Sequence, residues 1–320
     1  MKIVNYVIGL YALLCSVMVF ANDEAYEFQL AHVSQDVNLA VEDRVNATLA
    51  MQGFEGANAF ISIARASRDE HASMRLAAIT AASYWSTAAK WDLFFPLVND
   101  VDERVKKAAL QSLILEWTQM SEPMQLLLNE KIVTYQLTLP QGLESQLEIA
   151  WIEQSTDKLE SAEKRLVRAN ADYQDVRIVL GLAKVQASLG KLDIAKLTLM
   201  SGFDIFPDSG ALHYQVAVLE YQQSNFPAAQ EHFKLAHRVD PNNASYSYAY
   251  AISIRDQQTD LAVALLEDAY QHSGLSEHLY AKCDVLLSVN RPATACLNAL
   301  SIITPVYVVE QLTSLYEVKT

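Results

Sequence analysis

Residues 183–207 read AKVQASLGKLDIAKLTLMSGFDIFP, and residues 217–241, which lie 34 positions later, read AVLEYQQSNFPAAQEHFKLAHRVDP. The positions that coincide are small, apolar or proline: Ala183 with Ala217, Leu192 with Phe226, Ala195 with Ala229, Leu199 with Phe233, Gly202 with Ala236, and Pro207 with Pro241. A 34-residue period with this order of residue types predicts stacked helix–turn–helix units, each of which buries its apolar face against its neighbours.

Weaker copies of this pattern flank the two clear ones. Their small and apolar positions are Ala150, Ala162, Leu166 and Ala169 upstream, and Ala251, Ala262, Leu266 and Ala269 downstream. The downstream copy has one residue fewer in its turn, and a fourth, degenerate copy contains Cys283 and Ala295. The pattern resembles tetratricopeptide (TPR) repeats, and we assign residues 139–304 to TPR-like repeats on this basis. Because small residues permit close helix crossing, we expect the alanines to lie where the two helices of a hairpin meet.

A different repeat precedes this region. Residues 69–78 (DEHASMRLAA) and 100–109 (DVDERVKKAA) align with a shift of 31, and Asp43-Arg44-Val45 starts an earlier copy. An acidic turn residue, then an apolar residue, a basic residue and two alanines resembles HEAT-type helical hairpins, in which the acidic residue can cap the following helix. We therefore expect an all-α chain, an α-solenoid with HEAT-like repeats over residues 22–138, the TPR-like repeats, and a capping helix over residues 305–320.

The order of the two repeat types resembles the C-terminal halves of certain periplasmic multihaem cytochromes. Residues 100–113 and 211–251 carry most of this resemblance. Those proteins carry Cys-x-x-Cys-His haem-attachment motifs ahead of the repeats, whereas this sequence contains none, so we expect no covalent haem. The resemblance implies, as an alternative function, an accessory protein for a redox or multihaem cytochrome assembly.

The segment 1–21 has the pattern of a secretory signal peptide. An apolar run from Ile3 to Phe20 follows a basic residue, and Val19-Phe20-Ala21 fits the small-residue rule for cleavage. We expect cleavage near Ala21 and a periplasmic or secreted mature protein. The alternative is an uncleaved membrane anchor, because the apolar run approaches the length of a membrane span.

Two cysteines, Cys283 and Cys296, flank a predicted turn at Asn290-Arg291 almost symmetrically. In an antiparallel helix hairpin such residues face each other, and an exported protein meets an oxidising environment, so a disulfide is one interpretation. In the other, both are small packing residues at a helix crossing. Either role is structural.

Charge and motif content exclude several classes of function. The formal net charge of −14 disfavours binding to nucleic acid or to an anionic membrane surface. The seven histidines form no His-Glu-x-x-His pair, and we find no nucleophile elbow, phosphate-binding glycine loop or dinucleotide fingerprint. We therefore expect no enzymatic activity, no cofactor and no metal site.

The first helices of TPR-like repeats line a concave surface, where we expect the partner to bind. The residues that the register places on this surface are Tyr214, Tyr248 and Tyr280 at equivalent positions, Lys184, Tyr221 and Arg255 beside them, and Arg177 at the edge. Tyrosine and arginine dominate binding hot spots, and the basic groups favour a carboxylate-bearing segment. The alternative is that the tyrosines are half-buried helix residues and the basic groups balance nearby acids. The sequence predicts an exported scaffold that holds a peptide or tail of another protein.

Overall fold

The computed structural model describes residues 24–54, 56–304 and 306–317, so the predicted signal peptide at 1–21 lies outside the described residues. The first eight α-helices are α1 (Glu24–Gln35), α2 (Val41–Ala50), α3 (Ala57–Ala66), α4 (Ala72–Ala81), α5 (Thr87–Phe94), α6 (Glu103–Ile114), α7 (Glu122–Thr138) and α8 (Leu143–Ser155). The remaining ten are α9 (Leu159–Asp172), α10 (Val176–Ser188), α11 (Leu192–Gly202), α12 (Gly210–Gln222), α13 (Phe226–Val239), α14 (Ala244–Ile254), α15 (Thr259–Ser273), α16 (Ser276–Ser288), α17 (Thr294–Ile303) and α18 (Val306–Glu317). Short 3-10 helices occupy Pro96–Asn99 and Trp117–Gln119.

The described chain contains no β-strand, which confirms the predicted all-α class. It divides into a first compact unit, residues 24–145 with 155–158, and a second, residues 146–154 with 159–317. This division falls inside α8, whereas the boundary predicted from the sequence at 138/139 lies in the loop before it. Within the described ranges, none of the helices combines the length and apolarity that a membrane span requires.

Two buried ion pairs, related by the shift found in the sequence, stabilise the first unit. Arg44 Nη2 lies 2.5 Å from Asp69 Oδ2, and Arg75 donates from Nε and Nη2 to the two carboxylate oxygens of Asp100 at 2.8 and 2.7 Å. A shift of 31 relates Arg44 to Arg75, and the same shift relates Asp69 to Asp100. Each aspartate therefore connects the turn that holds it to a preceding helix.

The helix caps in this unit differ from the sequence expectation. Asp100 does not cap α6, because its carboxylate is engaged by Arg75 and by the backbone N–H of Asp102. The N-cap of α6 is Asp102, whose side chain accepts the N–H of Arg104 at 2.9 Å. The N-cap of α4 is His71, which makes no capping hydrogen bond through its side chain. The regular spacing of the acidic residues thus reflects ion pairing between hairpins and not helix capping.

The second unit consists of helix hairpins whose members cross at small buried residues. Four hairpins, α8–α9, α10–α11, α12–α13 and α14–α15, have a buried alanine at both positions: Ala150 with Ala162, Ala183 with Ala195, Ala217 with Ala229, and Ala251 with Ala262. Each of these alanines is at most 3% exposed. Because a methyl side chain allows the helix backbones to approach closely, these positions explain the 34-residue pattern of small residues.

The next hairpin, α16–α17, has a disulfide in place of the two alanines. Cys283 and Cys296 are joined with their Cα atoms 5.6 Å apart, and both lie in the buried core with Leu300. Cys296 follows Ala262 by one full repeat period and therefore occupies the second-helix position. The assignment of Ala295 to that position was wrong, because Ala295 is exposed. The turn of this hairpin is longer, which shifts the register by one residue.

Helix α18 covers the last hairpin. Leu312 is fully buried in the core that surrounds the disulfide, and Val308 is 7% exposed. Near the end of the helix, Tyr316 Oη donates to Asp284 Oδ1 at 2.6 Å. A final helix that buries an apolar face is what a terminal repeat requires. Of the predicted cap at 305–320, residues 305 and 318–320 lie outside the described part.

Candidate partner-binding groove

The residues that the sequence analysis assigned to the concave surface lie on the first helices of four consecutive hairpins. Their positions are Arg177 and Lys184 on α10, Tyr214 and Tyr221 on α12, Tyr248 on α14 with Arg255 directly after it, and Tyr280 on α16. One repeat period separates Tyr221 from Arg255, so the two occupy equivalent positions in neighbouring repeats. We refer to these seven residues as the groove set.

The tyrosines at the equivalent positions are partly embedded between helices. The Tyr214 ring lies 5.7 Å from the Phe233 ring and 5.4 Å from the Tyr246 ring, and the Tyr248 ring lies 5.1 Å from the His278 ring. Burial raises the pKa of Tyr248 to about 12. Tyr248 is half-buried and packs on His278. Tyr214 and Tyr280 are half-buried.

Tyr221 differs from the other tyrosines because its hydroxyl is buried and finds no hydrogen-bond partner within residues 24–54, 56–304 and 306–317. The ring is fixed by an edge-on contact with Phe226, with 5.2 Å between the ring centroids. Burial raises the pKa of this phenol, and the positive charge of Arg255 acts in the opposite direction. The guanidinium therefore lies within electrostatic reach of the hydroxyl.

Arg255 is bound only loosely by the chain. Its Nη1 lies 3.9 Å from Asp284 Oδ2 and its Nε lies 3.7 Å from Asp256 Oδ1. Both distances exceed that of a hydrogen bond, and the guanidinium makes none to the described residues. Its side chain remains 25% exposed. Several N–H donors of Arg255 are therefore available to an acceptor that approaches from solvent.

The other two basic residues of the groove set differ from each other. Arg177 donates from Nη2 and Nε to the carboxylate of Asp175, at 2.9 and 3.0 Å, and its backbone N–H donates to the same carboxylate at 2.8 Å. The arginine thus belongs to the N-terminal cap of its own helix. Lys184 is exposed and forms no ion pair with the part of the chain that the structure describes. Among the basic residues of the groove set, Arg255 and Lys184 are therefore the two without a hydrogen-bonded carboxylate partner in the described residues.

Sequence reasoning missed Asp284 and Tyr316. Asp284 is buried on α16 and receives the Tyr316 hydroxyl, which comes from the terminal helix α18. Asp284 occupies the repeat position that Lys184 occupies in an earlier repeat. A comparison of equivalent positions along the repeats could therefore have identified Asp284 as a charged residue of the same helix face. The register contains no signal for Tyr316, because α18 lies outside the repeat pattern.

Four histidines of the second unit lie at helix junctions. His213 Nδ1 lies 3.1 Å from His232 Nδ1, His237 Nδ1 lies 3.0 Å from Ser247 Oγ, and His278 Nδ1 lies 2.7 Å from Ser273 Oγ. Burial lowers the pKa of all four imidazoles. Among the described residues, no three or more His, Cys, Asp or Glu side chains form a group that could hold a metal ion.

Comparison with protein-family models and with curated proteins gave no match. Solved structures with a similar fold include YrrB, described as a TPR protein with an unusual peptide-binding site, at 14% identity and a TM-score of 0.44, over 53% of this chain and 91% of YrrB. MamA is 13% identical with a TM-score of 0.42, over 54% of this chain and 98% of MamA. The human IFIT1 dimer with PPP-AAAA is 12% identical with a TM-score of 0.47, over 93% of this chain and 86% of IFIT1. At these levels the similarities assign no partner to this chain.

Proposed function

We propose that this protein is a binding scaffold whose second unit holds an extended segment of a partner protein in the groove. The observation that carries the proposal is the presence of two donors at equivalent repeat positions. The Tyr221 hydroxyl has no hydrogen-bond partner among the described residues, and the Arg255 guanidinium has only ion contacts of 3.7 and 3.9 Å. A buried hydroxyl without an acceptor costs about 1–3 kcal/mol of stability. A buried polar group without a partner calls for an explanation, and an acceptor supplied by a bound segment is the one proposed here.

The chemistry of the two donors indicates what the partner segment contributes. An arginine with free N–H groups binds a carboxylate in a bidentate arrangement, and a phenol donates one hydrogen bond to the same type of oxygen. Tyr316 holds the Asp284 carboxylate, which lies 3.9 Å from Arg255, so an incoming carboxylate replaces this loose contact with direct hydrogen bonds to the guanidinium. A segment with a carboxylate side chain, flanked by residues that pack on the half-buried Tyr214, fits these features.

We propose that the protein is exported after cleavage of its leader near Ala21, because the segment 1–21 has the composition of a signal peptide. We propose that the first unit is HEAT-like, because its two buried ion pairs repeat with the shift of the sequence pattern. The accessory role in a redox assembly stays a prediction of the sequence resemblance, and nothing in the described residues favours it.

Recovery of the partner by affinity purification tests the proposal. The double variant Tyr221→Phe/Arg255→Gln should lose the partner while keeping its helical content, since both side chains remain similar in size. Arg238→Gln is the matched control, because it removes one exposed arginine from a second helix, α13. If the double variant recovers the same partner in the same amount as the control, the groove is not the binding surface.

A further inference from the structure

The second unit has a polar cavity that shares no residue with the groove set. It measures about 370 Å³ and lies along α8 and α9. The lining residues that matter for its chemistry are Gln146, Lys164, Arg165, Arg168, Asp172 and Tyr173. Three of these are cations that lie close together on one helix, although the chain as a whole carries a net charge of −14. We propose that this cavity is a binding site for an oxyanion.

Arg165 forms the fixed wall of the cavity. It donates from Nε to Glu153 Oε2 and from Nη2 to Glu153 Oε1, both at 2.9 Å, and from Nη1 to Gln146 Oε1 at 3.1 Å. The Glu153 carboxylate therefore compensates the charge of Arg165. Because the Gln146 carbonyl oxygen is already bound to Arg165, the amide nitrogen of Gln146 remains as a donor with no acceptor among the described residues.

Lys164 and Arg168 supply the uncompensated charge. They stand at positions i and i+4 of α9, so they lie on the same face of the helix, one turn from each other. Both are exposed, and neither forms an ion pair with a carboxylate in residues 24–54, 56–304 or 306–317. The cavity also contains Asp172, one turn beyond Arg168. Two uncompensated cations therefore face one carboxylate, and the cavity keeps a positive balance.

The donors suit an oxyanion with several acceptor oxygens. Arg168 can bind two oxygens at once, Lys164 contributes a point charge, and the Gln146 amide and Tyr173 hydroxyl contribute neutral donors. Phosphate and carboxylate both present such oxygens. A phosphate group belongs to free phosphate or to a phosphate ester, and a carboxylate belongs to an acidic side chain or to a small organic acid. Separate titrations distinguish the two groups.

Isothermal titration calorimetry of the full-length protein tests the site, with inorganic phosphate and succinate as separate probes at constant ionic strength. We expect one or both to bind, and Lys164→Gln/Arg168→Gln to weaken that binding about tenfold or more, because charge-assisted hydrogen bonds are lost. Lys234→Gln/Arg238→Gln is the matched control: it removes the same pair of residues at the same spacing from α13. We expect this control to bind the probe as the unchanged protein does.

Two results would overturn the proposal. The first is that neither probe binds at concentrations up to about 10 mM. The second is that both double variants lose affinity equally, since that shows a response to overall charge and not to this cavity. Arg255→Gln should leave the titration unchanged, so failure of the oxyanion site and failure of the groove are separately detectable.

Discussion

Replacing Tyr221 by phenylalanine should make the protein more stable and at the same time weaken its binding of the partner segment. The substitution removes only the hydroxyl, which is buried and has no hydrogen-bond partner among the described residues. The ring keeps its edge-on contact with Phe226. Removing a buried hydroxyl that lacks a hydrogen-bond partner should raise the free energy of unfolding by about 1 kcal/mol, at the lower end of the usual range for such groups. For a unit of this size, about 1 kcal/mol corresponds to a rise in Tm of roughly 2–4 °C.

Tyr316→Phe is the matched control for this prediction. It removes a hydroxyl from the same residue type, but this hydroxyl donates to the buried carboxylate of Asp284 at 2.6 Å. Loss of a hydrogen bond to a charged group costs about 1.5–3 kcal/mol, so the control should shift stability in the opposite direction. Urea unfolding followed by circular dichroism measures both variants, with the m-value as a check that the transition is unchanged. If Tyr221→Phe lowers the free energy of unfolding by about 1 kcal/mol or more, the hydroxyl has a partner in solution and the reasoning fails.

Three further perturbations test other parts of the structure. The Cys283–Cys296 disulfide closes a loop with a sequence separation of 13, and its reduction should destabilise the second unit by about 3 kcal/mol. A thermal scan with and without reductant measures this loss. In the same scan, reductant should have no effect on the Cys283→Ala/Cys296→Ala variant. The four junction histidines have pKa values lowered from 6.5 in the folded protein, so the unfolded chain binds more protons than the folded protein does. The midpoint of urea unfolding should therefore fall as pH is lowered from 7 to 5. A midpoint that does not change over this range would contradict the prediction. Arg75→Ala should lower the free energy of unfolding by about 3 kcal/mol, because it leaves the buried carboxylate of Asp100 without its partner. Arg104→Ala is the control, because Arg104 is 73% exposed in its ion pair, and this variant should change the urea midpoint little.

The repeat period was sufficient to predict the fold class and to assign the residues of the groove set to the first helices of their hairpins. A 34-residue register determines which helix face a residue occupies, so Tyr221 and Arg255 could be assigned to neighbouring first helices. The same register explains why the hairpins cross at Ala217 and Ala229. It fails where a turn changes length, and for that reason Ala295 was assigned a place that Cys296 holds.

The details of charge pairing could not be read from the sequence. Whether Arg177 faces a ligand or its own helix cap depends on a side-chain conformation that the period does not determine, and it lies against Asp175. The contact of Tyr316 with Asp284 depends on the placement of α18, which belongs to no repeat. Whether the Tyr221 hydroxyl meets an acceptor depends on three-dimensional packing, so its unmet state became evident only in the structure.

Selection of peptides from a random displayed library against the full-length protein tests the central claim most directly. The groove account predicts enrichment of peptides with a shared acidic residue, and loss of that enrichment when the selection is repeated with Arg255→Gln but not with Arg238→Gln. Replacement of the shared acidic residue by its amide should weaken the selected peptide about tenfold or more. Peptides without an acidic residue, or with affinity that is the same for the unchanged protein and Arg255→Gln, would contradict the account.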